Sequence, residues 1–226
     1  MMLQSTDKKI FFYIILFFLL VTINNQKIIK SNLFEIKSIN LNGYKIFDER
    51  KLLKELEQYR LNNIFNLKKD LIENLIYEND MVENFDVFKN YPSELIINIK
   101  KTKFLANINI DGKDYFIGAN KKFIKSENND PNLPSVFGKP TAEEFIKLRE
   151  NIINSSLKFK DLEYLYFFPS KRWDLEFKNG NTLKLPLITS PNIFETYYKI
   201  SQSEQFKEKN SFDMRIDDQL IINELR

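Results

Sequence analysis

The sequence predicts an α+β protein: a single N-terminal transmembrane helix, then a β-α-α-β-β unit, then a mostly antiparallel β-domain with two helices. Three observations lead there. One apolar run, Ile10 to Ile23, stands directly behind Lys8-Lys9, and no second run like it follows in the 226 residues. Between residues 34 and 102, two segments with apolar residues at helical spacing are bracketed by alternating ones. From residue 103 onward alternating runs dominate, punctuated by Asp111-Gly112 and Asn179-Gly180.

The apolar run contains twelve Ile, Leu, Phe or Val residues, which at about −0.3 to −0.6 kcal/mol each favour membrane insertion. Its fourteen helical residues span only about 21 Å against a hydrocarbon core of about 30 Å. Carried through Asn24-Asn25-Gln26-Lys27 to Ile28-Ile29, the helix reaches about 30 Å, with Lys27 able to snorkel to the interface. Residues 10–29 are therefore expected to form a signal anchor behind a cytoplasmic tail, residues 1–9, since Lys8 and Lys9 favour a cytoplasmic N-terminus. The rival reading, a cleaved signal peptide, needs small residues in an Ala-x-Ala-like arrangement, and Thr22 to Lys30 has none.

Composition limits the chemistry. The absence of Cys and His removes disulfides, thiol nucleophiles, zinc sites with N or S ligands and the imidazole base of a Ser-His-Asp triad. Catalysis would have to rest on carboxylates or lysines, and no Gly-rich loop, nucleophile motif or convincing acid pair is present. Thirty-four basic and 31 acidic residues are interspersed and form no nucleic-acid face. No cofactor, metal, nucleic acid or small-molecule substrate is expected, and no enzymatic activity.

The first unit, residues 34–102, opens with Phe34-Glu35-Ile36-Lys37 and Ile39-Asn40-Leu41, an alternating strand whose phase slips at Lys37-Ser38 as at a bulge. Asn42-Gly43 closes it, and Asp48 is the expected N-cap of a helix through about Arg60 with Leu52, Leu53, Leu56 and Tyr59 on one stripe. Leu71, Ile72, Leu75 and Ile76 mark a second helix. Val82 to Lys89 and Glu94 to Lys100 are strands joined at Tyr91-Pro92.

In the second unit, residues 103–226, Phe104 to Ile110 turns at Asp111-Gly112 into Tyr115-Phe116-Ile117, and Phe123-Ile124 follows. Thr141-Ala142-Glu143-Glu144 reads as a capping box opening a helix with Phe145, Leu148 and Ile152 on one face. Leu162 to Phe168, then Trp173, Leu175 and Phe177, then Leu183, Leu185 and Leu187 are three strands. Ser190-Pro191 starts a helix carrying Phe194, Tyr197 and Tyr198. A strand pair, about Phe212 to Ile216 and Leu220 to Glu224, ends the chain. The lone Trp173 reads as core. Asp213, Asp217 and Asp218 read as ion-pair partners of Arg215 before they read as a cation site.

At these residues the chain resembles a family. Phe34-Glu35-Ile36-Lys37-Ser38-Ile39-Asn40-Leu41-Asn42-Gly43, Asn63-Ile64-Phe65-Asn66-Leu67, and Val82 to Val87 followed by Tyr91-Pro92-Ser93-Glu94-Leu95 are similar to the POTRA domain of the FtsQ/DivIB cell-division family. Leu133-Pro134-Ser135-Val136-Phe137-Gly138, Ser170-Lys171-Arg172-Trp173-Asp174-Leu175 with Asn179-Gly180, and Phe212-Asp213-Met214-Arg215-Ile216 are similar to motifs of its β-domain. The resemblance implies a bitopic inner-membrane scaffold of the division septum. Its N-terminus would be cytoplasmic and both extramembrane domains periplasmic. It would recruit an FtsB/FtsL-type coiled-coil partner by strand addition at the C-terminal edge strand and other divisome membrane proteins through the POTRA domain. The implied contact strip is Gln219, Leu220, Ile221, Ile222, Asn223 and Glu224.

The physical case for that strip is that Leu220-Ile221-Ile222 is apolar on both faces near the end of the sequence, so one face needs cover. Tyr197 and Tyr198 are flanking candidates on physical grounds, and the same two residues with their helix could instead supply that cover from within the domain. A POTRA-bearing translocation or assembly factor is the alternative; it would normally show repeated units or a β-barrel pattern, and neither is present.

Overall fold

The computed structural model describes residues 4–23, 34–43, 49–206, 210–216 and 219–223. The chain divides into two compact units, Met1–Lys101 and Thr102–Arg226.

Helix α1 runs Gln4–Ile23. It starts in polar residues, and its apolar stretch has no polar side to turn outward: Ile10 through Val21 are all exposed, between 41% and 65%. Thr22 spends its hydroxyl on the carbonyls of Phe18 and Leu19, each at 2.9 Å. Among the described residues no helix is long and apolar enough to cross a membrane; residues 24–29, which would complete the expected anchor, lie outside the described ones.

In the rest of this unit the order is β1 (Ser38–Asn42), α2 (Glu49–Leu56) running into a 3-10 turn, α3 (Lys69–Tyr77), β2 (Val82–Asn90) and β3 (Glu94–Lys101). The sheet order is β1-β3-β2, with β1 parallel and β2 antiparallel to the central β3. Spacing of four explains the core: Leu52 and Leu56 from α2, and Ile72 and Ile76 from α3, are buried in one cluster with Leu95 and Ile97 of β3. The opening strand is shorter than its alternation suggests. Residues 34–36 leave the sheet and bond the inter-helix connector, with Ile36 N–H donating to Asn62 O at 3.0 Å and Ile64 N–H to Phe34 O at 2.8 Å, while Lys37 N–H donates to Ser93 O at 2.8 Å. The phase slip at Lys37-Ser38 marks that change of partner. Asp48, the expected cap of α2, lies outside the described residues.

The second unit is a nine-stranded sheet with two helices. Its strands are β4 (Phe104–Ile110), β5 (Lys113–Gly118), β6 (Phe123–Lys125), β7 (Ser135–Phe137), β8 (Leu162–Phe167), β9 (Trp173–Phe177), β10 (Thr182–Lys184), β11 (Ser211–Asp213) and β12 (Ile221–Asn223); α4 is Ala142–Ile153 and α5 is Pro191–Ser201. The order is β12-β11-β10-β9-β8-β7-β4-β5-β6. Five of the eight ladders are antiparallel; β4–β7, β7–β8 and β10–β11 are parallel. One row of side chains crosses seven strands in register: Ile108, Val136, Leu165, Leu175, Leu183, Phe212 and Ile222. Phe145, Leu148 and Ile152 of α4 and Phe194 and Tyr197 of α5 are buried in the same core, so both helices cover this face and leave the other open.

Thr141 opens α4 with a capping box: its hydroxyl accepts from Glu144 N–H at 3.2 Å, and the Glu144 carboxylate accepts from Thr141 N–H at 2.8 Å. Ser190 caps α5 by position with Pro191 in the first turn, without a side-chain bond. Trp173 is core, 5% exposed. Leu187 is not in a strand. Beyond Lys184 only Leu185 N–H keeps a ladder-like bond, to Trp173 O at 3.0 Å, and Pro186 has no N–H to continue it, so Leu187 is 64% exposed.

Strand β7 escapes a periodicity reading because it is three residues long. Asn107 places it: this buried side chain donates to Asp130 O at 2.8 Å and Leu133 O at 3.0 Å and accepts from Asp130 N–H at 2.9 Å, while Asn107 N–H donates to Pro134 O at 2.9 Å. Gly138 then ends β7 at φ +100°, where a Cβ would stand against the carbonyl oxygen of Phe167. Gly112, at φ +79°, has open space around it. Alanine at Gly112 is therefore expected to cost about 1–2 kcal/mol of stability from backbone conformation alone, and alanine at Gly138 a further ~1–3 kcal/mol from the clash. Urea unfolding of the two variants reads the difference; equal midpoints would mean that the Phe167 carbonyl gives way freely.

Candidate functional site

The C-terminal edge of the nine-stranded sheet is built outward from Phe212. This ring is fully buried, lies in register between Leu183 and Ile222, and meets Tyr197 edge-on at 5.1 Å; Tyr197 in turn stacks on Phe177 at 5.1 Å. Alternation sends Phe212 and Ile222 inward and Asp213, Ile221 and Asn223 to the open face. Ile222 and Leu220 are half-buried against the domain's own core, whereas Ile221 is 47% exposed.

Strand β12 pairs with β11 and with no other described strand. The direction of its free groups follows from its neighbours. Thr182 N–H donates to Asn210 O at 2.6 Å and Met214 N–H to Lys184 O at 2.9 Å. Residues 210, 212 and 214 therefore turn their main-chain groups toward β10, and Ser211 and Asp213 turn theirs toward β12. Their register partners, Asn223 and Ile221, bond inward, which directs the N–H and C=O of Ile222 at the open edge.

Each face of β12 is flanked by a depression. On the helix side a groove of about 420 Å³ is lined by Ile193, Thr196, Met214, Ile216, Gln219 and Leu220, among others. On the open face a smaller one of about 250 Å³ is lined by Arg172, Asp213, Arg215, Ile216, Gln219 and Ile221. Arg215 Nε donates to both carboxylate oxygens of Asp213, at 2.8 and 2.9 Å, and its backbone N–H donates to Oδ1 at 3.1 Å. The pair shapes the turn out of β11 and holds the Asp213 carboxyl below the usual carboxylate range. Asp174 faces Arg172 Nε at 3.5 Å, an ion pair too long to count as a hydrogen bond. Burial pushes the Asp174 carboxyl up while Arg172 opposes it.

Of the expected strip, Gln219, Leu220, Ile221, Ile222 and Asn223 come together at this edge, and Glu224 lies outside the described residues, as do Asp217 and Asp218. The flanking tyrosines do not join them. Tyr197 is 3% exposed and is part of the core beneath Phe212, so the surface role expected of it is corrected to a supporting one. Tyr198 lines a separate cleft of about 500 Å³ with Lys158, Asp161, Asn179 and Gln202, whose floor includes Tyr197. Sequence reasoning missed Ile193, Met214 and Ile216 as groove residues; the signal was faint, an Ile one position off the α5 stripe and two apolar residues alternating with Asp213 and Arg215. Among the described residues no group of Asp and Glu could hold a metal ion.

The first unit also has open edges, at β1 and β2. Beside β1, Ile39, Leu41, Leu53 and Ile96 line a shallow groove, and on β2 Phe88 is 53% exposed.

A family model described as "POTRA domain, FtsQ-type" matches residues 34–101. The cell division protein DivIB of Clostridium tetani is 27% identical over 117 residues, 52% of this chain and 44% of that protein. The cell division protein FtsQ of Bradyrhizobium diazoefficiens is 23% identical over 198 residues, 84% of this chain and 56% of the relative, and FtsQ of Rickettsia bellii is 25% identical over 154, 68% and 58%. The matches thus span about half the length of these curated relatives. Among solved structures, the major extracytoplasmic domain of DivIB from Geobacillus stearothermophilus aligns with a TM-score of 0.35 at 9% identity over 47% of this chain and 96% of that one, too loose a likeness to carry an argument. Residues 34–101 thus match an FtsQ-type POTRA domain, and the relatives to which the chain is similar are FtsQ and DivIB cell division proteins.

Proposed function

We propose that this protein is a bitopic cell-division scaffold of the inner membrane. Residues 10–29 anchor it with the N-terminus in the cytoplasm, residues 34–102 form the POTRA domain, and residues 103–226 form a β-domain that takes a strand from an FtsB/FtsL-type partner at β12. Other divisome membrane proteins meet the POTRA domain. It works at the septum and performs no catalysis. The observation that carries this reading is the free ladder of β12, whose Ile222 N–H and C=O point away from β11. An added strand would satisfy them and lay its alternate side chains into the two flanking depressions. The names of the relatives, cell division proteins DivIB and FtsQ, support the cellular role.

Two substitutions separate the edge from the core. Ile221→Lys puts a charge on the exposed face and is expected to lower recovery of the co-expressed partner at least about tenfold with little change in melting temperature. Ile222→Lys drives a charge against the core and is expected to lose partner and stability together. Full partner recovery by a folded Ile221→Lys chain would contradict binding at this strand.

The anchor is tested in cells. The full chain should stay in the membrane pellet after alkaline carbonate extraction, with the part beyond residue 34 degraded by protease added outside the inner membrane. Release into the carbonate supernatant, or protection of that part, would overturn the assigned topology.

A further inference from the structure

The open face of the nine-stranded sheet carries three aromatic rings at neighbouring register positions. Phe137 on β7 stands opposite Tyr166 on β8, its ring stacked on the tyrosine at 5.3 Å with 15° between planes, and 5.8 Å from Tyr164. Tyr164 and Tyr166 are 6.4 Å apart. Neither α4 nor α5 covers them, and Phe137 is 48% exposed. This is a rigid aromatic platform on strands of the sheet interior, where packing does not require one.

Two carboxylates border it. Glu176 stands opposite Tyr164 on β9 and accepts the Tyr166 hydroxyl at 3.1 Å. Glu163 precedes Tyr164 on β8, and its carboxylate acts on that phenol. The phenols are donors: burial first, then the Glu176 bond, pushes Tyr166 up to about 12, and the Glu163 carboxylate raises Tyr164. Neither glutamate has a cationic partner among the described residues. The nearby arginines are engaged elsewhere, Arg172 with Asp174 and over the Phe168 ring at 5.0 Å, Arg215 with Asp213, and Lys139 pairs with Asp111 at 2.7 Å.

Ring faces are negative, and two carboxylates beside them add to that sign. The patch therefore selects a cation, and a planar one fits best, because a guanidinium can stack on the ring while its fork reaches a carboxylate. We propose that Phe137, Tyr164 and Tyr166, with Glu163 and Glu176, form a docking site for an arginine of a partner protein's basic segment. The site lies on β7, β8 and β9, three to five strands from β12 in the sheet order, so its failure would leave the strand-addition reading standing.

The test is an NMR titration of the full chain in detergent micelles, with labelled Phe and Tyr rings, using the peptide acetyl-Arg-Gly-Arg-amide and its uncharged citrulline counterpart. Saturable shifts of the Phe137 and Tyr166 rings are expected with the arginine peptide. Binding should be roughly tenfold weaker with citrulline, in the Glu163→Gln/Glu176→Gln double variant, and in Phe137→Leu, whose exposed ring can be removed without unfolding the domain. An equal response to citrulline, unchanged binding by the folded variants, or no saturation at ~10 mM peptide would overturn the proposal.

Discussion

A β-strand can hydrogen-bond along both of its sides, and β12 does so along one. That imbalance organises the C-terminal end of the molecule. Left in water the free groups cost little, since each bond made to a partner replaces one made to solvent, for a net gain of about 0.5–1.5 kcal/mol. The two groups of Ile222 would thus contribute about 1–3 kcal/mol, far short of the ~8 kcal/mol that a micromolar complex represents. In the proposed complex main-chain pairing would set direction and register, and the grooves on either side of β12, with Ile221 on one face and Ile193, Met214 and Leu220 on the other, would have to supply most of the affinity.

The edge is firm because the core reaches it. The row from Ile108 to Ile222 ties the last strand to the centre of the sheet, and Phe212 is wedged between Leu183, Tyr197 and Ile222. A slip of one residue in β12 would bring Ile221 inward and expose Ile222, so burial of this row specifies which amide faces out. Covering one face with α4 and α5 has a second consequence: the other face stays accessible, with the aromatic patch near its middle and the Arg172, Asp213 and Arg215 depression at its end. Both of these open-face features follow from where the helices pack.

Much of this was legible in the residues. Alternation and turn chemistry found most of the strands, the Asp111-Gly112 hairpin, and the capping box at Thr141; spacing of four found α2, α3, α4 and α5. The failures have physical causes. Residues 34–37 alternate like a strand, yet Phe34 and Ile36 bond the connector at residues 61–64, which local pattern cannot reveal. Strand β7 is set by the long-range bonds of Asn107 to residues 130 and 133, not by propensity. At the site, sequence alone could place Ile221 and Ile222 at the end of the sheet but could not say which was inward. Tyr197 and Tyr198 are neighbours in sequence, and the helix sends one into the core and the other to a different cleft.

Hydrogen exchange at a single amide addresses the open edge most directly. In the free protein the Ile222 N–H should exchange quickly while that of Phe212, which is paired within the sheet, is protected; in the complex with an FtsB/FtsL-type partner Ile222 should become protected as well. An Ile222 amide as protected as Phe212 before the partner is added, or one still exchanging freely in the complex, would contradict completion of this sheet by a second chain.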